Sequence, residues 1–503
     1  MPEDRLVIRA DADARMGIGH AMRMIALGQA WAERGGAVRF LGRIEAEPLR
    51  SRIAVEGFDL VELGAVHPAL ADLRELLALT DGQDWLALDG YHFDTAYLHA
   101  VRAAGRKTLV LDDLNDRGEY EVDVLLNQNL GAGDLPYRVN PEARLLFGPR
   151  YALLRREFRA ARQADKPCPE RVRNVLVTMG GSDPVNFSAV VLQALALLGG
   201  QDLAVRLVVG PANPNRAGLE RLAAALPVPT ELVTPGEDMP RQMLWADLAV
   251  TAAGSTCWEL CYFGVPILAF ELAENQAGVL AGLAAAGAAV SGGRVAEATP
   301  EGIAALLDGL LGTPARRAAL ATQARGLVDG QGAFRVAAAL RPAKLTLRPA
   351  RQDDADFLWR LANDPDVRAV SFTPEPIPLA THVAWLAARL ADPVGLFFVA
   401  VGEGGESVGQ IRLDEDNGCG VVSVSLAAPF RHGGIGTEMI RRACRAWAAA
   451  HSGQKAVAYV RQGNAASEQA FLRAGFVRCG EMQMKGQRAA CFQWLPEETQ
   501  CAR

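Results

Sequence analysis

The sequence predicts an α/β protein built from two doubly wound parallel-sheet units in tandem, followed by a smaller α+β domain. Three observations carry this reading. The chain has 503 residues, and one domain per ~150 residues suggests about three. Short apolar runs alternate with longer amphipathic ones from residue 6 to about 130, and the alternation restarts after a polar, proline-bearing stretch at 163–170. Beyond Arg341-Pro342 the order changes to consecutive strands with few helices between them. The expected boundaries are 1–163, 164–342 and 343–503.

In the first unit Leu6-Val7-Ile8, Val38-Arg39-Phe40-Leu41, Trp85-Leu86-Ala87-Leu88 and Thr108-Leu109-Val110-Leu111 read as strands. The segments between them, such as 22–34 and 95–104, have helical spacing. Strand–helix alternation of this kind implies a parallel sheet covered on both faces. In the second unit the strands are Val175-Leu176-Val177, the run 205–209, Leu248-Ala249-Val250 and the run 267–270, with helices dominating 301–340. Two such units enclose a cleft at the carboxyl ends of their strands, where ligands of open α/β sheets bind. In the third unit a strand at 345–347 and helices precede strands at 397–401, 408–413 and 421–426. A helix at 434–449, a strand at 457–460 and a helix at 465–474 follow, and Met482, Met484 and the final strand read as core.

Composition removes several classes of function. Half the residues are hydrophobic and 22% are charged, ample for packed cores and unlike a disordered chain. A net charge of −6 gives no support to general nucleic-acid or anionic-membrane binding. The cysteines at 168, 257, 261, 419, 444, 479, 491 and 501 form no CxxC pair, so no zinc-ribbon or thioredoxin-like motif is present. Cys257 and Cys261 read as small buried thiols. No apolar stretch reaches the ~20 residues that span a bilayer, and the amino terminus lacks the apolar core of a signal peptide. A soluble, cytoplasmic protein is expected.

Chemistry concentrates at strand ends. After the first strand come Gly17-Ile18-Gly19-His20 and Arg23, at the start of a helix. Glycines there admit a tight turn, and the helix amino end supplies unpaired N–H groups. The positive pole of the helix favours neutral imidazole, which a general base requires. The same pattern also serves a plain glycine turn with His20 as a helix-end hydrogen-bonding residue. The second unit carries three comparable loops: Gly180-Gly181-Ser182-Asp183-Pro184, Gly254-Ser255-Thr256 leading to Glu259, and Glu274-Asn275-Gln276. Each sets N–H groups or hydroxyls at a strand's carboxyl end, a cradle suited to a diphosphate. No dinucleotide fingerprint opens the first unit, and no P-loop lysine motif occurs. In the third unit Arg431-His432-Gly433-Gly434-Ile435-Gly436 joins a strand to a helix, with Asn464, Ser467, Phe471, Gly475 and Phe476 downstream. That spacing suits a pyrophosphate held by successive backbone N–H groups.

These motifs, with Leu111-Asp112-Asp113-Leu114, Asn127-Gln128-Asn129, residues 148–154 and the run 254–260, resemble the UDP-sugar hydrolase family of pseudaminic acid biosynthesis over about residues 5–330. The third unit, over about 343–497, resembles the GNAT acetyltransferases. The resemblance implies two Rossmann-like domains in GT-B arrangement followed by an α+β GNAT domain. It implies hydrolysis of UDP-2,4-diacetamido-2,4,6-trideoxy-β-L-altropyranose to UDP and free sugar, with no metal. His20 would activate water and Tyr91 would act beside it, with His92 as a rival base. Gly17, Gly19, Arg23, Gly180, Gly181, Ser182, Gly254, Ser255, Thr256, Glu259, Asn275 and Gln276 would bind the UDP-sugar, Glu259 through the ribose hydroxyls. Acetyl-CoA would lie on Leu426, Ala428, Arg431, Gly433, Gly434, Gly436 and Asn464. Glu438, Tyr459 and Ser425 are open candidates for the acid and base of acetyl transfer. The expected activity joins UDP-sugar hydrolysis to N-acetylation of the 4-amino UDP-sugar precursor. The alternative is a UDP-sugar-dependent GT-B glycosyltransferase with an acetyl-CoA-sensing or regulatory GNAT domain.

Overall fold

The computed structural model describes residues 5–12, 17–64, 70–162, 166–180, 183–199, 202–210, 213–234, 238–341, 345–402, 405–431, 434–451 and 454–495. Gly181, Ser182 and Gly433, all expected to bind ligand, lie outside these residues. The chain divides into two compact units, 1–340 and 341–503.

The first unit holds two parallel sheets. Strands β1 (Arg5–Ala10), β2 (Ala37–Gly42), β3 (Asp59–Glu62), β4 (Trp85–Asp89), β5 (Lys107–Leu111), β6 (Val124–Asn127) and β7 (Arg144–Phe147) are ordered β3-β2-β1-β4-β5-β6-β7. Their side chains alternate between faces. Leu6 and Ile8 pack with Phe40 and Trp31 on one side, Val7 with Leu41 and Leu86 on the other. Burying each such aliphatic side chain stabilises the fold by about 1.5–3 kcal/mol. Strands β8 (Asn174–Thr178), β9 (Ala204–Val208), β10 (Thr230–Val233), β11 (Leu248–Ala252), β12 (Ile267–Glu271) and β13 (Val290–Arg294) form the second sheet, ordered β10-β9-β8-β11-β12-β13. Strand order reverses at β1/β4 and at β8/β11. Each reversal opens a crevice at the strands' carboxyl ends, and the loops at Gly17, Gly180 and Gly254 stand at these two places while that of Asn275 follows the adjacent β12.

The helix Gly332–Leu340 follows the second sheet in sequence but packs on the first, with Phe334, Val336 and Leu340 joining the core of Leu6 and Ile8. Gly332 makes this return path feasible, since a Cβ there would stand 2.2 Å from the Ala152 carbonyl oxygen.

The second unit is one seven-stranded sheet of β14 (Thr346–Pro349), β15 (Leu396–Val401), β16 (Ser407–Asp416), β17 (Cys419–Leu426), β18 (Ala456–Arg461), β19 (Val477–Met484) and β20 (Gln487–Trp494), ordered β14-β15-β16-β17-β18-β20-β19. Its pairs are antiparallel except β17–β18. The expectation of a core role for Met482 and Met484 is corrected here. Both lie on β19, the sheet's outer edge, where Met482 is 40% exposed and Met484 is half-buried. The core positions belong to β20, through Ala490, Phe492 and Trp494.

Candidate functional site

At the first crevice, His20 sits in the first turn of the helix Gly19–Ala32, and Asp89 ends β4. The His20 Nδ1 lies 2.7 Å from Asp89 Oδ1. Arg23, one turn further along the same helix face, donates from Nε to Asp89 Oδ2 at 2.7 Å and from Nη2 to Asp113 Oδ2 at 2.9 Å. Burial alone would raise the Asp89 carboxyl, but the adjacent Arg23 charge and His20 outweigh it and hold Asp89 well below the ordinary carboxylate range. An ionised carboxylate only accepts hydrogen bonds. A neutral His20 would place its proton on Nδ1, facing this carboxylate, and its lone pair on Nε2. Among the described residues Nε2 has no hydrogen-bond partner. This is the tautomer a general base needs, set by a carboxylate behind the ring.

Tyr91 stands edge-on to His20, ring centroids 4.9 Å apart. Its hydroxyl donates to Asp113 Oδ2 at 3.2 Å and accepts from Asn275 Nδ2 at 2.8 Å. Tyr91 keeps 38% of its surface exposed, yet burial of the rest and the Asp113 charge push its phenol up to about 12. It remains a neutral phenol at physiological pH. The Tyr91–Asn275 bond joins the loop after β4 to the loop after β12. Asn129 Nδ2 supports Asp113 Oδ1 at 2.9 Å. His92 lies elsewhere, with Nε2 3.3 Å from Asp11, where a structural pairing accounts for it.

Gly17 adopts φ +70 before the helix, and Gly180 φ +82 after β8. Ser255 caps the helix Thr256–Phe263 with an exposed side chain that makes no capping bond, and Thr256 opens that helix. Glu259 accepts from Arg155 Nη2 at 3.1 Å; burial raises its carboxyl, opposed by the Arg155 charge. Gln276 uses its Oε1 to accept from the Leu272 amide at 2.9 Å, and its Nε2 borders Gly254. Sequence reasoning gave no role to Asp89, Asp113, Asn129 or Arg155, although Asp113 and Asn129 stood in its motifs. The available signal was an aspartate ending an apolar strand, since a buried charge there requires partners.

Arg23 has a stability role that is open to measurement. Removing it leaves two buried carboxylates without their shared cation, and breaking a buried pair costs roughly 3–5 kcal/mol. Arg23→Met should lose about that much in urea unfolding near pH 7. The loss should shrink as acidification protonates Asp89, because its neutral carboxyl no longer needs the cation.

In the second unit, β17 and β18 pair only at Gly420–Ala456 and Val421–Val457. Beyond them residues 422–426 of β17 pair with no strand on that side among the described residues. Leu426 ends β17, Ala428 opens a short 3-10 turn, and Gly434 at φ +78 caps the helix Ile435–Ala450 with Gly436 in its first turn. Open space surrounds the position where a Gly434 side chain would stand. The Arg431 guanidinium is ion-paired with Asp364 and Asp366, each at 2.8 Å, and its Nε donates to the Leu426 carbonyl at 2.9 Å. Arg431 thus ties the end of β17 to residues 364–366. The Asn464 side chain caps the helix Ala465–Arg473 by accepting from the Ser467 amide at 3.2 Å. Glu438 pairs with Arg442 at 2.8 Å on the surface. Tyr459, on β18, has a phenol raised by burial.

Residues 174–329 match the glycosyltransferase family 28 C-terminal domain, and residues 344–477 match the acetyltransferase (GNAT) domain. The spore coat polysaccharide biosynthesis protein SpsG of Bacillus subtilis (strain 168) is 26% identical over 336 residues, 66% of this chain and 97% of that protein. The crystal structure of Acinetobacter baumannii MurG is 16% identical with a TM-score of 0.48, covering 68% of this chain and all of that one. Spermidine N-acetyltransferase from Vibrio cholerae, solved with CoA and spermine, is 19% identical with a TM-score of 0.28, covering 30% of this chain and 95% of that one. A GNAT domain implies acetyl-CoA as co-substrate, and a family 28 domain implies a nucleotide sugar. The chain joins two Rossmann-like parallel sheets, the second carrying the match to the glycosyltransferase family 28 C-terminal domain, to an α+β unit carrying the match to the acetyltransferase (GNAT) domain.

Proposed function

We propose that the protein is a bifunctional cytoplasmic enzyme of pseudaminic acid biosynthesis. Its first unit hydrolyses UDP-2,4-diacetamido-2,4,6-trideoxy-β-L-altropyranose with inversion, and its second unit uses acetyl-CoA to N-acetylate the 4-amino UDP-sugar precursor. The observation that carries the hydrolytic reading is the Asp89–His20 pair, with Nε2 unpartnered at the strand-order reversal. In this reading His20 Nε2 takes a proton from water as its oxygen attacks the anomeric carbon, and the bond to UDP breaks on the opposite face. The departing diphosphate gathers negative charge, which the N–H groups of the loops at Gly180 and Ser255 stabilise. Tyr91 and Asn275 position the sugar, and Glu259 accepts from the ribose.

A second reading is favoured by the family 28 match: transfer of the sugar to an acceptor other than water, with the GNAT domain sensing acetyl-CoA. Incubation with UDP-diacetamido and UDP-amino sugars, with and without candidate acceptors, separates the two by NMR of the products. Free sugar and UDP support hydrolysis, whereas a new glycoside supports transfer.

The ribose role of Glu259 has its own test. Glu259→Ala removes a charged acceptor whose hydrogen bonds contribute roughly 1.5–3 kcal/mol. Calorimetry should show UDP binding weakened accordingly. Unchanged affinity would assign Glu259 to holding Arg155 alone.

A further inference from the structure

The second unit contains a cavity of about 40 Å³ between its sheet and the helices Ala355–Ala362 and Leu379–Leu390. Two of its lining side chains are more than nine-tenths buried, His382 at 3% and Gln410 at 8% exposure. The buried atoms His382 Nε2 and Gln410 Oε1 have no hydrogen-bond partner among the described residues. A buried polar atom without a partner is costly, so two such atoms on side chains that line one cavity point to a ligand that satisfies them.

The remaining wall defines what fits. Trp385 lies tilted against His382 (centroids 5.2 Å) and edge-on to Phe397 (5.9 Å), giving an aromatic side. The Arg412 guanidinium lies over Trp385 at 5.0 Å and is neutralised by Asp414 at 2.8 Å. No carboxylate lines the cavity, so a cationic amine finds no counter-charge there. Burial, with the Arg412 charge adding to it, lowers the His382 pKa and keeps its imidazole neutral. The pocket thus offers one acceptor, one neutral imidazole able to donate, and an apolar wall. Ser425, near the end of β17, lines the same cavity. That sets the cavity against the strand whose free edge opens towards β18.

We propose that this cavity is a specificity pocket for a secondary amide carried by the acetyl acceptor. The amide N–H donates to Gln410 Oε1, its carbonyl accepts from His382 Nε2–H, and its methyl group packs on Trp385 and Phe397. A hydroxyl satisfies the polar pair but leaves the aromatic wall unfilled. The cavity also exceeds the ~10–15 Å³ that one water requires. This rests on the acetyltransferase reading above, whose 4-amino acceptor already bears one acetamido group, and assigns the residues that recognise that group.

The test uses the full chain and two readouts. In the first, acetyl transfer is followed by CoA thiol release with three acceptors: a UDP-4-amino sugar bearing a 2-acetamido group, its 2-hydroxy analogue, and spermidine. Wild type should favour the acetamido sugar at least tenfold in kcat/KM over the analogue and leave spermidine unmodified. Gln410→Leu should abolish that preference through KM, leave the KM for acetyl-CoA unchanged, and keep or raise Tm because an orphaned acceptor is removed. His382→Phe, which preserves the ring, should act likewise. In the second readout, N-methylacetamide is titrated while the His382 imidazole is observed by NMR, the resonance being assigned by its loss in His382→Phe. Saturable shifts in wild type that vanish in Gln410→Leu support the pocket even when no UDP-amino sugar is acetylated, an outcome that overturns only the wider functional reading. A preference unchanged in both variants, or N-methylacetamide shifts absent or equal in wild type and Gln410→Leu, would overturn the proposal and leave a pocket that holds only water.

Discussion

His20→Asn is expected to lower UDP release by about 10²–10⁴, the usual contribution of a positioned general base, while acetyl transfer continues at the wild-type rate. Asparagine is polar and smaller, so the helix start and the Gly17 turn tolerate it, but it has no lone pair able to take the proton from water. Asp89→Asn should fall in the same range for a different reason. Its amide no longer fixes the Nδ1–H tautomer, and Arg23 loses its strongest partner at 2.7 Å. Parallel assays of UDP and of free CoA thiol on the same preparation check both claims. Near-normal hydrolysis by His20→Asn would remove the histidine from the chemistry and reduce it to a helix-end hydrogen-bonding residue.

Gly434→Trp should eliminate acetyl-CoA binding and leave hydrolysis of a pre-acetylated UDP-sugar intact. The residue adopts φ +78 with open space around it, a conformation that side chains rarely accept, and an indole there fills the N–H cradle. Arg431→Ala should behave differently from a simple loss of a phosphate partner. Because Arg431 holds Asp364, Asp366 and the Leu426 carbonyl, its removal loosens the loop and should lower Tm as well as cofactor affinity. Calorimetry with CoA and thermal unfolding distinguish the two variants. Retained CoA binding by Gly434→Trp would place the cofactor elsewhere in the domain.

The architecture was legible where periodicity was strong. The central strands β1, β4, β5, β8, β11 and β12 carry apolar runs because helices bury both faces of their sheets, and β2 and β9 carry runs interrupted once by an arginine. The outer strands were not legible, for physical reasons. β3 and β7 are four residues long and largely solvated, and β13 contains Gly292 and Gly293. Edge position likewise explains Met482, whose hydrophobicity suggested a core that the sheet order places on β20. At the site, glycine loops and His20 could be found because their spacing is local. Asp89 lies 69 residues from His20, and only the adjacency of β1 and β4 brings them together. Arg431 shows the converse: its motif suggested a phosphate ligand, while partners 65 and 67 positions away take its charge.

The central claim is that acetylation and UDP release follow one another on one nucleotide sugar. Joining the two activities in one chain raises the local concentration of the intermediate. The most direct measurement is a time course by NMR with the wild-type protein and the UDP-linked 4-amino sugar, run with and without acetyl-CoA. The account predicts that the N-acetylated UDP-sugar appears first and free diacetamido sugar with UDP follows, and that little UDP forms when acetyl-CoA is left out. Equal UDP release in the absence of acetyl-CoA would contradict it.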